Sequence, residues 1–331
     1  MGGSYREDYS SCSRQIYRES IPEWKELLTS ALKNKSRSKL TEAYKQFFSP
    51  SSFQNSGFIA QTAKLLGIND ASQIPKEFSE IEYEVKFDIS AEAGKGKEPS
   101  IEEYLSTFDF PVATQARFLK DPVNAIAEGT NRFFGSSSDE RLVIITKGGG
   151  TYLKEKGEVA AVDVGVPYQD LVVKRTEKRY PADIDQVANK LSEICSENDV
   201  KYRGRIRKEK GDIFILDSND GRIYSYTITR SHLTKSGENK EIGIQRQLEI
   251  EYAGYLPGFV SFEKDSEKQI VSGMVDLAKY TYGLYSSAPV ARGWKINLLP
   301  THERKYDFVS GIEVKGIKKL PKLKQLEVIV Q

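Results

Sequence analysis

The sequence predicts an α+β fold in which a closed or nearly closed antiparallel β-barrel of about eight strands is flanked by helices. Eight or nine strand-like segments with alternating charge lie between about residues 79 and 255. Turn sequences such as SNDG and KSGEN separate neighbouring segments, which is typical of antiparallel hairpins. Segments with helical spacing of apolar residues precede and follow this region. Many short strands joined by hairpins are typical of a barrel.

Changes in the hydrophobic period divide the chain into three regions. Residues 1–78 begin their helical pattern with Ser20 and Glu23 at capping-box spacing, and we expect a helical accessory region there. Residues 79–260 are predicted to form the barrel, with a helical insertion at about 91–136. Residues 261–331 are predicted to contain one long helix and a basic extension.

The composition excludes several kinds of chemistry. Two cysteines and two histidines in 331 residues argue against a disulfide framework, a Cys/His metal site and His-based nucleophilic catalysis. The net charge of +2 argues against general electrostatic coating of nucleic acid. No apolar run approaches the ~20 residues of a membrane span, and the first residues lack an apolar signal core. We therefore expect an intracellular, soluble protein with no membrane partner.

Two acidic strands contain the main candidate site. In EIEYEVKF, alternation places Glu82, Glu84 and Lys86 on one face and apolar residues on the other. In QRQLEIEYAG, near the end of the strand-rich region, Glu249 and Glu251 share a face in the same way. Like charges in a row repel unless a counter-charge compensates them. These faces therefore point either to water or into a site.

A basic strand lies between the acidic strands in the sequence. KYRGRIRK places Arg203, Arg205 and Arg207 on one face. Carboxylate clusters bind hard cations such as Mg²⁺ or Mn²⁺, and rows of arginine bind phosphate oxygens. Each strand alone could be a solvated face or, for the arginines, a nucleic-acid patch. The three together favour an interior site for a polyphosphate and its metal.

EIEYEVKF resembles the E-x-E-x-K signature strand of the triphosphate tunnel metalloenzymes. These include CYTH-type triphosphatases, class IV adenylyl cyclases and the metal-dependent RNA 5′-triphosphatases of mRNA capping, and the resemblance covers about residues 79–255. It implies a hydrolase whose acidic strands lie side by side in a barrel lumen. By this resemblance Glu82, Glu84, Glu249 and Glu251 are metal ligands and, together with Lys86, catalytic residues. Lys86, Arg203, Arg205 and Arg207 bind phosphate.

The resemblance leaves several points open. Lys147, Lys174, Arg175, Lys178 and Arg230 are weaker candidates for phosphate binding because the facing of their strands is undecided. The segments around the barrel favour an RNA 5′-triphosphatase, with a capping-enzyme or larger-complex partner. A nucleoside or inorganic triphosphatase and a non-catalytic binding or assembly module remain alternatives. The lysine-rich tail could contact RNA, contact a partner or be solvated.

Overall fold

The computed structural model describes residues 80–92, 97–106, 118–120, 125–162, 171–196, 199–217, 222–234, 241–255, 267–287 and 294–312. The predicted amino-terminal helices and the lysine-rich tail lie outside these residues. The strands are β1 (Glu80–Glu92), β2 (Phe118–Lys120), β3 (Ala125–Gly135), β4 (Glu140–Lys147), β5 (Gly150–Lys156), β6 (Ala160–Ala161), β7 (Val173–Pro181), β8 (Lys201–Asp217), β9 (Arg222–Thr234), β10 (Glu241–Tyr255) and β11 (Lys295–Pro300). The helices are α1 (Ile101–Ser106), α2 (Ile184–Cys195), α3 (Glu267–Ser287) and α4 (Lys305–Ser310).

Eight antiparallel strands form a closed barrel in the order β1, β10, β9, β8, β3, β4, β5 and β7. The ring closes where β7 pairs with the first half of β1, with Glu82 opposite Arg175. Three shorter strands pair outside the ring: β2 with β8, β6 with β7, and β11 with the second half of β1. The predicted α+β class with a closed antiparallel barrel is therefore confirmed.

The outer face of the barrel carries most of the apolar core. Val85 and Phe87 on β1 belong to one buried cluster with Val271 and Met274 of α3. On the opposite side of the ring, α2 packs its apolar face against β4 and β5. Asp183 and Gln186 form a capping box at the start of α2. Because the apolar residues of these strands point outward, the alternating polar residues point into the barrel.

The short helix α4 fills one end of the barrel interior. Tyr306 is fully buried and packs with Phe133, Val143 and Ile206, which lie on the inward faces of β3, β4 and β8. Gly204 permits the close approach of α4, since a Cβ at this position would lie 2.6 Å from a methyl group of Val309. At this end the interior is therefore apolar and occupied by the chain itself.

The predicted helical insertion at about 91–136 is largely wrong. Within it, only α1 is helical among the described residues, and the segment from Ala125 to Gly135 is strand β3. This segment pairs with both β4 and β8. The spacing of its apolar residues is compatible with the period of a helix or of a strand, and Gly129 in the middle disfavours a helix. Pairing on both edges then determines the strand.

Candidate metal and phosphate site

Three carboxylates meet where β1 and β10 run side by side. Glu84 lies directly opposite Glu251, and Lys86 lies opposite Glu249. One carboxylate oxygen from each of Glu84, Glu249 and Glu251 lies within 4.8 Å of the other two. Such a set of hard oxygen donors fits a small divalent cation. We refer to these three residues as the acidic trio.

Cations compensate the charge of the acidic trio. The Lys86 ammonium lies 2.7 Å from a carboxylate oxygen of Glu84, and Lys305 of α4 contacts Glu249. Burial raises the pKa of Glu84, but the ammonium of Lys86 and other nearby cations more than offset this, so its pKa lies below the ordinary value. Glu84 is therefore ionised at neutral pH, the state that binds a cation.

Glu82 lies in the same row of β1 but has a different environment. Its carboxylate accepts a hydrogen bond of 2.5 Å from Nε of Arg175, whose Nη1 lies 3.1 Å from Glu140. Burial opposes ionisation of Glu82, but Arg175 and two lysines hold its pKa well below the usual range. Among the described residues, Glu82 does not join the acidic trio. The structure therefore groups this predicted ligand with a buried arginine.

The interior contains lysines that the sequence interpretation missed. On β5, Lys154 lies 2.6 Å from Glu177 and Lys156 lies 3.4 Å from the same carboxylate. On β8, Lys208 and Lys210 share the inward face. Both pairs lie at alternate positions of a strand, in YLKEKG and RKEKGD. This spacing is the signal that could have identified them.

Three of the interior lysines, Lys154, Lys208 and Lys305, have lowered pKa values. Burial, reinforced by the ammonium groups of Lys210 and Lys154, lowers the pKa of Lys208 to about 7. Burial and the nearby ammonium groups of Lys208 and Lys86 lower the pKa of Lys305 well below its ordinary value. Cations are thus crowded in this lumen. A polyphosphate anion would relieve their mutual repulsion.

The prediction that the arginines of β8 bind phosphate assumed that their face of the strand points inward. The structure places the alternate residues inward instead. Arg207 is exposed on the outer face, with Nη1 3.0 Å from Glu128 and Nη2 3.1 Å from Glu209. Arg205 lies on the same outer face, because the register places Ile206 and Lys208 inward. Arg203 lies at a register shift and donates a hydrogen bond to the carbonyl of Gly135. Both faces of this strand are basic, so charge alone does not determine its orientation.

The weaker candidates for phosphate binding also differ in whether their side chains point into the barrel. Arg175 is the one that lies against the acidic side chains of β1. Lys174 points outward to Glu267 of α3, at 2.9 Å.

Arg230 also points outward, where it donates to Glu209 at 3.0 Å and to the carbonyl of Pro99 at 2.6 Å. Lys178 is exposed and lies over the ring of Tyr180. Lys147 shares the inward face of β4 but lies at its hairpin end.

The described helices include none that is long and apolar enough to cross a membrane.

No protein-family model matches the chain, and no curated protein matches it. Among solved structures, the PH1819 protein from Pyrococcus horikoshii OT3 is 14% identical with a TM-score of 0.32, over 61% of this chain and 89% of that chain. The S. pombe Pct1 RNA triphosphatase is 9% identical with a TM-score of 0.32, over 74% of this chain and 92% of its own. A second Pct1 structure, in complex with the Spt5 CTD, is 8% identical with a TM-score of 0.31, over 76% and 92%.

These likenesses are too distant to identify an activity. Two features that the E-x-E-x-K resemblance implies are present in the chain itself: a closed antiparallel barrel, and acidic strands β1 and β10 as neighbours within it. The described part of the chain is therefore a closed antiparallel barrel in which the two acidic strands are neighbours.

Proposed function

We propose that this protein is a metal-dependent polynucleotide 5′-triphosphatase that hydrolyses the γ-phosphate of an RNA 5′ end. The observation that carries the proposal is the acidic trio in a closed barrel, with Glu84 and Glu249 buried, Glu251 half-buried, and lysines and Arg175 nearby. A binding site for a bare cation does not need this many ammonium groups. A site for a metal with a polyphosphate does, because the anion carries several negative charges.

The residues of the acidic trio would hold Mg²⁺ or Mn²⁺. A divalent cation bound there would supply charge neutralisation at the phosphate and a more acidic water. Phosphoryl transfer requires mainly positioning and charge stabilisation from the protein. Lys86, directly opposite Glu249, is positioned to donate to a nonbridging oxygen next to the trio. Lys154, Lys156 and Arg175 line the neighbouring wall and would bind further phosphate oxygens.

Lys208 would also contribute to binding of the phosphate chain. With its pKa near 7, Lys208 is partly neutral at neutral pH. Its ammonium nitrogen lies 4.0 Å from a carboxylate oxygen of Glu249. A bound triphosphate would favour the ammonium form of Lys208, which would donate to a phosphate oxygen beside Glu249. The scheme needs no histidine.

A comparison of three substrates tests the proposal. The protein is incubated with Mg²⁺ or Mn²⁺ and γ-labelled triphosphate RNA, ATP or tripolyphosphate, and release of orthophosphate is measured. We expect metal-dependent release with the highest kcat/KM on RNA, and loss of release in Glu249→Gln. A preference for ATP or tripolyphosphate would contradict the choice of RNA. No hydrolysis of any substrate would instead favour a non-catalytic binding or assembly module.

A further inference from the structure

Strand β1 changes its pairing partner near its middle. On one edge of this strand, pairing with β7 ends where Glu84 faces Val173. On the same edge, pairing with β11 begins where Phe87 faces Pro300. Between them, the amide of Thr301 donates a hydrogen bond of 3.1 Å to the carbonyl of Lys86. The barrel wall therefore has a seam beside Glu84 and Lys86.

A cavity of about 200 Å³ opens at this seam. Its inner part is formed by the buried side chains of Glu84, Lys86 and Arg175. Its outer part reaches Val159, which is 40% exposed, and the exposed Ala161. The remaining lining residues come from the start of β7 and from the segment before α4: Leu171, Val173, Thr301, His302 and Arg304. The cavity thus connects the protein surface with one carboxylate of the acidic trio.

The two parts of the cavity differ in chemistry. The inner part presents cations to a phosphate chain, whereas the outer wall of Val159, Ala161, Leu171 and Val173 is apolar. Inorganic triphosphate has no apolar surface to cover such a wall. A triphosphate joined to a nucleoside has both kinds of surface. The volume lies below the roughly 300–1,000 Å³ of pockets for drug-sized ligands, so the cavity is too small for several nucleotides.

The segment before α4 contributes polar side chains to the cavity, and one of them, Arg304, is held in place. Arg304 donates to both carboxylate oxygens of Asp307, at 2.6 and 2.9 Å, and to the carbonyl of Ser138 at 2.7 Å. This fixes its guanidinium on the rim. His302 lies two residues before it and offers an aromatic ring with two polar nitrogens. Such a pair suits the base and the first phosphate of a nucleotide.

The position of α4 favours access at the seam. The apolar side chains of α4 fill one end of the interior, against Phe133, Val143 and Ile206. A phosphate chain that reaches Lys86 through the seam does not have to displace this packing. The cavity leads directly to Glu84 and Lys86.

We propose that the cavity at the seam is a subsite for the terminal nucleoside of the substrate, with the triphosphate pointing inward to Lys86 and Arg175. This assignment rests on the proposed triphosphatase activity and adds the place where the terminal nucleoside of the substrate binds. Val159 and Val173 contact the nucleoside, and Arg304 lies beside the phosphate nearest to it.

Steady-state kinetics of Val159→Ser provide the first test, since Val159 is partly exposed and its truncation should not prevent folding. We expect KM for ATP and triphosphate RNA to rise about five- to tenfold, with kcat/KM for tripolyphosphate within about twofold of wild type. Ile184→Ser is the matched control, because Ile184 is 78% exposed and lies on α2, outside the cavity. An equal loss on all three substrates, or unchanged KM for ATP and RNA, would overturn the proposal.

Photo-crosslinking supplies a test that does not require activity. The full-length protein is irradiated with 8-azido-ATP, and the labelled peptides are mapped by mass spectrometry. We expect labelling within 159–161, at 171–173 or at His302, competed by ATP and reduced in Val159→Ser. Labelling confined to other surfaces would contradict the subsite. Labelling of the cavity without hydrolysis would retain the subsite while rejecting the triphosphatase, so the two failures are distinguishable.

Discussion

Glu84 and Glu251 occupy directly opposing positions on β1 and β10, so two carboxylates share one rung of the barrel ladder. Like charges placed this way are destabilising, by up to about 1 kcal/mol. A cation bound between them converts the repulsion into a binding site. The relationship therefore predicts opposite effects of the same substitution on stability and on metal binding.

Glu251→Gln should separate these two effects. We expect the free energy of unfolding of the metal-free protein to stay constant or rise by up to about 1 kcal/mol. We expect Mn²⁺ affinity, measured by electron paramagnetic resonance of free Mn²⁺, to fall at least tenfold, with a larger loss of hydrolysis. Glu128→Gln on the outer face is the control and should change neither quantity. Unchanged Mn²⁺ binding in Glu251→Gln would exclude Glu251 from the site.

Lys305→Met tests whether the lysine of α4 competes with the metal. Its ammonium contacts Glu249 and lies 3.3 Å from Oε1 of Gln247. Removal of this charge leaves Glu249 with only the more distant Lys208, at 4.0 Å, among its ion-pair partners in the described residues, so we expect Mn²⁺ affinity to rise about three- to tenfold. Isothermal titration with MnCl₂ measures it, and Lys305→Arg should retain the wild-type affinity. A lower affinity in Lys305→Met would mean that Lys305 supports the site.

Arg175→Met tests the buried cluster at Glu82. The substitution leaves the carboxylates of Glu82 and Glu140 without their guanidinium partner in a buried position. We expect a loss of about 3–5 kcal/mol in the free energy of unfolding, measured by urea denaturation. The double variant Arg175→Met/Glu82→Gln should recover part of this loss, because one uncompensated charge is removed. A loss below about 1 kcal/mol would show that water or other cations replace Arg175.

Lys208 should make anion binding depend on protonation. Its lowered pKa of about 7 means that about half of the molecules carry it neutral at pH 7. A bound triphosphate favours the ammonium form and raises this pKa, so binding takes up about 0.5 proton at pH 7 and more at pH 8. Calorimetry in buffers with different ionisation enthalpies measures the uptake. Lys208→Arg keeps the charge and should abolish the uptake; an unchanged uptake would assign it to another group.

The arginines of the outer face supply a negative prediction. Arg207 has a half-exposed side chain, and its ion pairs with Glu128 and Glu209 are near the surface. We expect Arg207→Ala to change the free energy of unfolding by no more than about 0.5 kcal/mol. The rate of tripolyphosphate hydrolysis should equal that of wild type. A large loss of this rate would return Arg207 to the phosphate site.

The acidic strands were predictable because each has one charged and one apolar face. In β1, Val85 and Phe87 identify the buried outer face, so Glu84 and Lys86 must point inward. The same logic fails for β8, where Ile206 points into the barrel while Ile213 and Ile215 belong to the outer core. The apolar residues of this strand change face along its length. Its basic residues occur on both faces, so neither the apolar nor the charged residues show which face of β8 points into the barrel.

Other parts of the site have no local signal. Lys305 lies in a six-residue helix, and its contact with Glu249 joins residues 56 positions apart. The strand character of β3 depends in the same way on its partners β4 and β8. The sequence contains patterns of alternation, but long-range pairing decides which residues meet. The packing of α4 into the barrel also depends on contacts between residues that are distant in the sequence.

The order of strands in the barrel also bears on its synthesis. The first strand of the ring pairs with β10, which is the last strand of the ring along the chain. On a ribosome, β1 therefore waits for the 148 residues between Glu92 and Glu241 before it meets this neighbour, and its edge stays open during that time. Contacts of such long sequence separation form slowly, and open edges recruit other strands. We expect a nascent chain that ends before β10 to be inactive and to depend on chaperones.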